Sequence, residues 1–397
     1  MTQLPLRNVR VLELTHIVAG PAAGIILGDL GADVIKIEPP DALDPGRMGT
    51  GRNGSYFYLN RNKRHIVLDL KNEEALAVFY RLACSADVFV ENMGPGVTDR
   101  LGIGYGELSR RNPRIIYCSV KGYLSGPYED RSSMDEMAQM MSGLAFMTGP
   151  LGRPLRAGAS ITDLGAATFG VVGILAALLE RQSTGKGQFI TSGLFETALF
   201  YVGQHMAQSQ FSGQPSRPMA ERDRHSPGGY PAYDLFECAG GRQVFIAAFN
   251  FGQWKKLCEV LGLQDFSTHP DLKDVASVGK ARPWTMPRLE ETIRTLDAKT
   301  LVAQLSAQGV PATVVNTPES VLDETHVHAP RRLLNVGAGE KSLSVPTLPF
   351  ESDDYQFSVR HDPTVRPGSD TREVLAEAGY SPDEIERLLQ TGAAKVL

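Results

Sequence analysis

A chain of 397 residues that is 42% hydrophobic and 21% charged has the makeup of a globular protein with room for two domains. Its net charge of −5 gives no general pull toward nucleic acid or anionic lipid, so an anionic ligand has to be held by a local cluster. The four cysteines, Cys84, Cys118, Cys238 and Cys258, stand in no metal-ligand spacing and read as reduced thiols of a cytoplasmic protein. The opening MTQLPLRNVRVLEL has neither the long apolar run nor the cleavage site of an export signal.

Residues 9–14 form a short apolar strand pattern, residues 22–30 a helix, and residues 32–37 a second buried strand closed by Glu38. This is a strand–helix–strand unit of a parallel, doubly wound sheet. The turn inside it reads THIVAGPAAG, not G-x-G-x-x-G, so it lacks the glycines that bring a backbone up to a dinucleotide's pyrophosphate. Residues 39–63 are polar and rich in Gly, Pro and Arg, and are expected to loop over a face of the sheet. Further strands are expected at 64–71, 88–91 and 115–120, with a helix at 73–84 between the first two. The run Gly102-Ile103-Gly104-Tyr105-Gly106 follows no strand and reads as a turn.

The stretch 158–188 dominates the middle of the chain. It carries no charge from Leu164 to Leu179, which predicts a helix buried on every side, with Gly165, Gly170 and Gly173 admitting close neighbours. It reads as too short and too glycine-rich for a good membrane span. Thr162 and Asp163 stand where an N-cap belongs, and Gly185 where a helix stops. Asp163 has two compatible readings: a helix cap, or a nucleophilic carboxylate kept ionised by the helix N-terminus.

Composition divides the chain into a large domain at 1–208, a Pro/Gly-rich linker at 209–229 and a small α+β domain at 230–318. An irregular linker follows at 319–350, then a C-terminal segment at 351–397. In the small domain, two strands flank a hairpin turn at 239–242, helices cover 252–261 and 289–296, and a strand lies at 312–316. The last helix starts at Ser381-Pro382.

Motifs exclude several chemistries. There is no G-x-x-x-x-G-K-[ST] to suggest ATP use and no G-x-S-x-G serine elbow. His326 and His328 form a lone pair, so no metal is expected. Three polar groups close predicted strands, where open α/β sheets bind ligands: Lys71; Asn92 to Gly94 with Arg100; and Lys121-Gly122-Tyr123. Together they suit an anion site for a phosphorylated cofactor.

The segments LGADVIKIEPP, NRNKRHIVLDLK, VENMGPGVTDRLG, NPRIIYCSVKGY and ERQSTGKGQ, in this order, resemble the type III CoA-transferases, the group of formyl-CoA transferase and carnitine CoA-transferase. The likeness is dense over the first two hundred residues and thinner to the C-terminal helix. It implies that Asp163 attacks a donor thioester to form a mixed anhydride and then an aspartyl-CoA thioester, from which an acceptor carboxylate leaves as the new acyl-CoA, without ATP. It implies coenzyme A contacts at His16, Val18, Ala19, Leu68, Asp69, Leu70, Lys71, Asn92, Met93, Gly94, Arg100, Lys121, Gly122, Tyr123 and Leu124. A Rossmann-like large domain that takes both chain ends, a smaller α+β domain and an interlocked, ring-like homodimer are implied as well. Gly228 and Gly229 are expected to form a mobile substrate loop that supplies N–H donors and excludes water.

Formyl-CoA transferase has an arginine where this chain has Pro39, and a glutamine where it has Val18. The missing amide argues against formate and oxalate and directs the expectation to a small dicarboxylate such as succinate or itaconate, with succinyl-CoA as donor. Two other readings compete. A related α-methylacyl-CoA racemase would need an acid/base pair, yet Met134 and Asn250 stand at the matching positions and cannot move protons. A non-catalytic CoA-binding module would leave Asp163 as a cap alone.

Overall fold

In the computed structural model, residues 3–40, 44, 53–218, 223–364 and 366–396 are described. Short apolar runs rich in Val and Ile build the strands β1 (Arg10–Leu14), β2 (Asp33–Glu38), β3 (Lys63–Leu68), β4 (Val88–Glu91), β5 (Ile116–Lys121) and β6 (Phe189–Gly193). Every residue of β3 and β4 is buried, as expected of parallel strands covered on both faces. Between them lie α1 (Ala19–Asp29), α2 (Asn53–Asn60), α3 (Glu73–Ser85), the short α4 (Val97–Arg100) and α5 (Tyr105–Arg111), α6 (Asp135–Met141), α7 (Leu144–Thr148) and α8 (Ile161–Thr184). The helix α9 (Leu194–Ser212) follows β6 directly.

The sheet is a seven-stranded one in which β3-β2-β1-β4-β5-β6 run parallel, and a two-residue strand closes the β3 edge antiparallel. This is the doubly wound order, with its reversal between β1 and β4. On one face Val11, Val34, Val90 and Cys118 pack with Ala23, Leu27 and Ile174 of α1 and α8. On the other, Leu12, Ile35, Phe89 and Tyr117 pack with Val78, Phe79 and Leu82 of α3.

The chain divides into two compact units, Met1–Pro218 with Ala329–Leu397, and Met219–His328. The second is a three-stranded antiparallel sheet of β7 (Ala232–Glu237), β8 (Gln243–Ala248) and β9 (Ala312–Val314). It packs with α10 (Phe251–Val260), α11 (Gln264–Ser267), α12 (Val275–Ile293) and α13 (Ala298–Ala307) around Trp254, Phe266 and Leu289. Back in the first unit, β10 (Leu333–Ala338) and β11 (Lys341–Pro346) form a hairpin, followed by α14 (Thr371–Glu377), α15 (Pro382–Gln390) and the edge strand β12 (Ala394–Lys395). Arg64 ties this tail to the sheet, its guanidinium 2.8 Å from Asp33 and 2.7 Å from Glu377.

Several expectations are corrected. Residues 39–63 hold a helix, α2, and α9 continues to Ser212, into the stretch read as linker. The stretch 319–350 contains the β10–β11 hairpin, turned at Gly339 with φ +66°. The helix expected at 289–296 is the end of α12, which starts at Val275 and runs through Pro283 and Pro287. Burial of Val278, Met286, Leu289 and Ile293 and a capping box at Asp274 and Ser277 outweigh the breaking tendency of the two prolines. Most consequentially, α8 is 24 residues long and is not buried on every side. Ala166, Gly170 and Ile174 face the sheet, whereas Leu164, Phe169, Val172, Leu175 and Leu179 are exposed.

Candidate active site

β5 and β6 are parallel neighbours, so α8 between them runs back against the strands and begins at their carboxyl edge. Asp163 in its first turn therefore stands on the same edge as the segments leaving β1, β3, β4 and β5. A reversal of strand order opens a crevice on this edge. All fifteen residues expected to meet coenzyme A lie in those four segments.

Their side chains are not equally available. Asn92 Oδ1 accepts from the His16 N–H at 2.9 Å, and its Nδ2 donates to the His16 carbonyl at 3.0 Å, so this amide clamps the β1 turn. Lys36 Nζ donates to the Thr15 carbonyl at 2.9 Å from below. Directly after these holds Ile17 takes φ +67°, a conformation that β-branched residues rarely adopt. Val18 is the N-cap of α1, Ala19 opens that helix, and burial pushes the His16 imidazole below its ordinary range. At the end of β3, Leu68 and Leu70 are buried in the core, Asp69 is half-buried and Lys71 is exposed. The two leucines thus have only their backbone to offer at this strand end, whereas Lys71 presents its side chain at the surface.

After β4, the Met93 N–H donates to Glu91 Oε2 at 2.7 Å, while Gly94 and Arg100 are exposed. After β5, the Phe195 N–H donates to the Gly122 carbonyl at 3.0 Å and the Leu124 N–H to Glu196 Oε2 at 3.2 Å, which docks this turn on α9. Lys121 is half-buried and Tyr123 is buried against Tyr128 and Phe195. A Cβ on Gly122 would come within 2.4 Å of Ser133 Cβ, so the β5 turn lies directly on the entry to α6.

Asp163 itself departs from its cap reading. The N-cap is Ser160, and Thr162 and Asp163 are the second and third residues of α8. Nor is the carboxyl held ionised: burial first, then Asp135 and Glu136, push it up to about 7. Gly228 and Gly229, in the second unit, have φ +112° and +79°. The Gly228 N–H donates to the Gly279 carbonyl at 2.8 Å, so the turn expected to be mobile is tied to α12 at that amide. Asn250 caps α10, accepting from the Gln253 N–H at 2.9 Å, and Met134 is exposed.

Sequence reasoning missed the groups that build this edge from inside. Glu13, Lys36 and Lys63 are fully buried on neighbouring strands, with Lys63 Nζ 2.8 Å and Lys36 Nζ 3.3 Å from the Glu13 carboxylate. Burial alone would raise the Glu13 carboxyl, but the two lysines outweigh it and hold it low, while burial pushes Lys63 down to about 8. A Cβ on Gly24 would sit 1.8 Å from Glu13 Oε2, so α1 approaches this cluster only through a glycine. The available signal was a charge inside each of three adjacent strands of a sheet covered on both sides. Asp135 was the other omission.

A model of CoA-transferase family III matches residues 6–371. A succinyl-CoA:glutarate CoA-transferase of Mus musculus is 33% identical, over 98% of this chain and 90% of its own. A formyl-CoA:oxalate CoA-transferase of Rhodopseudomonas palustris (strain BisB18) is 31% identical, over 98% and 96%. Among solved structures, a CAIB/BAIF family protein from Brucella suis superposes with a TM-score of 0.85 at 29% identity, covering 95% of this chain and all of that one. With a carboxylate in the first turn of α8 facing the carboxyl edge of a doubly wound sheet, and a family match across nearly its whole length, this chain belongs to CoA-transferase family III and is a CoA-transferase.

Proposed function

We propose that the enzyme moves coenzyme A from succinyl-CoA to a second small dicarboxylate, with Asp163 as the covalent relay. An Asp163 oxygen attacks the thioester carbon, the C–S bond breaks and the CoA thiolate leaves, giving a mixed anhydride. The thiolate then attacks the Asp163 acyl carbon and releases the donor carboxylate. The acceptor carboxylate attacks the resulting aspartyl-CoA thioester and displaces the thiolate, giving a second mixed anhydride. The thiolate then attacks the acceptor's acyl carbon, the anhydride C–O bond breaks and the Asp163 carboxylate is released. No net proton, metal or ATP enters the balance. A carboxylate is a weak nucleophile in water, so the rate depends on holding the thioester against it.

The observation that carries this reading is the position of Asp163: partly buried, at the carboxyl edge of the sheet, the edge from which the turns after β1, β4 and β5 also leave. The mouse relative's name supports succinyl-CoA and a five-carbon diacid; the relative named for formyl-CoA and oxalate is nearly as similar. Val18 at the head of α1 offers no amide to a small polar acid, which favours the longer diacid. The reaction belongs in the cytoplasm, where the free thiols of Cys84, Cys118, Cys238 and Cys258 are stable. A second copy of the chain covers the exposed apolar side of α8 and α9.

The test is intact-protein mass spectrometry after mixing with succinyl-CoA, followed by peptide mapping and an acceptor screen of glutarate, succinate, itaconate and oxalate. A CoA or succinyl adduct on Asp163, absent in D163N and discharged fastest by a C4 or C5 diacid, is expected. An adduct elsewhere, or turnover without any, removes Asp163. Discharge by oxalate alone removes the C4 or C5 diacid as acceptor.

A further inference from the structure

The helix that presents Asp163 does not cap itself. Ser160 fills the N-cap position with φ −76° and ψ 66°, and its side chain makes no capping bond. The first N–H groups of a helix need acceptors from somewhere. Here the acceptor belongs to another helix. Asp135, the first residue of α6 and 3% exposed, takes three donors on Oδ1: the Thr162 N–H at 2.8 Å, the Thr162 hydroxyl at 2.7 Å and, more weakly, the Asp163 N–H at 3.4 Å. Its Oδ2 accepts from the Gln139 amide at 2.6 Å, and Gln139 Oε1 accepts from the Ala157 N–H at 2.8 Å on the approach to α8.

We infer that Asp135 is a positioning residue for CoA transfer: its carboxylate, not a residue of α8, fixes the turn that carries Asp163 and sets a second negative charge beside it. This rests on the reading of Asp163 as the nucleophile. Both Asp135 oxygens are committed to donors, and Asp163 takes the effect of their proximity. The Asp163 carboxyl, pushed up to about 7 by burial and then by Asp135 and Glu136, is a more basic and therefore stronger nucleophile once ionised. Other ionisable groups on elements packed against α8 are Glu196, Tyr201 and His205 of α9 and Tyr117, Cys118 and Lys121 of β5. α1 brings none before Asp29. Arg156, on the approach to α8, lies 3.7 Å from Asp135 and 3.6 Å from Glu136. The arrangement thus does two things at once, aiming the side chain and raising its basicity.

The experiment follows adduct formation from succinyl-CoA against pH, by quenched mass spectrometry, in wild type, D135N, E136Q and T162V. In D135N the adduct still forms on Asp163, its half-maximal pH falls by on the order of one unit, and its plateau rate drops about tenfold or more. E136Q moves the midpoint the same way by less. T162V, which removes one donor and no charge, lowers the plateau rate and leaves the midpoint in place. A merely structural Asp135 would lower the rate in D135N without moving the midpoint, and that result, or a D135N indistinguishable from wild type, overturns the inference. Should D135N fail to fold, a T162V with the wild-type rate overturns it. Absence of an Asp163 adduct in wild type removes the nucleophile and this role together, whereas a wild-type adduct with an unchanged D135N removes Asp135 alone.

Discussion

A carboxyl whose ordinary value is 3.8 and which the fold pushes to about 7 is held at a cost in stability. Between about pH 4 and 7 the unfolded chain has released this proton while the folded chain keeps it, so raising the pH through that window weakens the fold. Below the window there is no penalty; above it the penalty is complete. D163N removes the charge and keeps the shape, and is therefore expected to be more stable than wild type at pH 8, by on the order of 2 kcal/mol after discounting for partial exposure. The gain should vanish near pH 3.5, and transfer should be lost at every pH. Differential scanning calorimetry at the two pH values checks it, and equal melting at pH 8 would show that Asp163 ionises without strain. Glu13 shows the opposite solution to the same problem, since Lys63 and Lys36 make its burial tolerable. Asp163 has no such partner in α6, where its neighbours are Asp135 and Glu136.

At the scale of elements, the site depends on how closely the β5 turn approaches α6. Gly122 lies against Ser133, two residues before Asp135, and Asp135 in turn holds α8. G122A places a methyl group 2.4 Å from Ser133 Cβ and 3.2 Å from its backbone nitrogen, so the entry to α6 has to move. A stability loss of about 1–3 kcal/mol is expected, together with a fall in kcat of tenfold or more, because displacement of Asp135 is passed to Asp163. Steady-state kinetics and denaturant melts of G122A decide it; unchanged kcat in a destabilised protein would sever the link between the β5 turn and the nucleophile. This linkage explains what could and could not be read beforehand. The strands were legible because apolar runs in a sheet covered on both sides need no partner to be recognised, and residues 88–91 emerge as β4 with their expected ends. The position of Asp163 on a helix start was legible too, as was the start of the last helix at Ser381-Pro382. Its actual cap was not, because Asp135 lies 28 residues upstream of Asp163 and nothing local marks a carboxylate that caps another helix. For the same reason, the burial of Leu68 and Leu70 distinguishes backbone from side-chain contacts only after folding.

For the molecule as a whole, the decisive feature is the surface of α8 and α9 that this fold leaves open. A run of sixteen uncharged residues told of burial without telling by what. One side of α8 meets β5, β6, α1 and α9. The other carries Val172 and Leu179, 56% and 69% exposed, and α9 adds Phe200 and Phe211 at 70% and 91%. By length and composition α8 would also suffice to cross a membrane. Its Gly170 and Gly173, however, lie close against Cys118 and Ile190 of the sheet, a packing that a bilayer cannot replace. Exposed apolar surface of this kind, joined between the two helices where the Phe169 and Phe200 rings meet at 5.2 Å, on a chain bearing net charge −5 fits a second copy of the chain better than anionic lipid. Light scattering coupled to size exclusion, without detergent, is expected to give twice the chain mass of 43.1 kDa. L179E with F200E is expected to shift that mass toward the monomer or to precipitate, since burying two new carboxylates in an apolar contact costs several kcal/mol. A monomeric wild type, or cosedimentation of wild type with anionic vesicles that L179E with F200E abolishes, would assign this face to something other than a second copy of the chain.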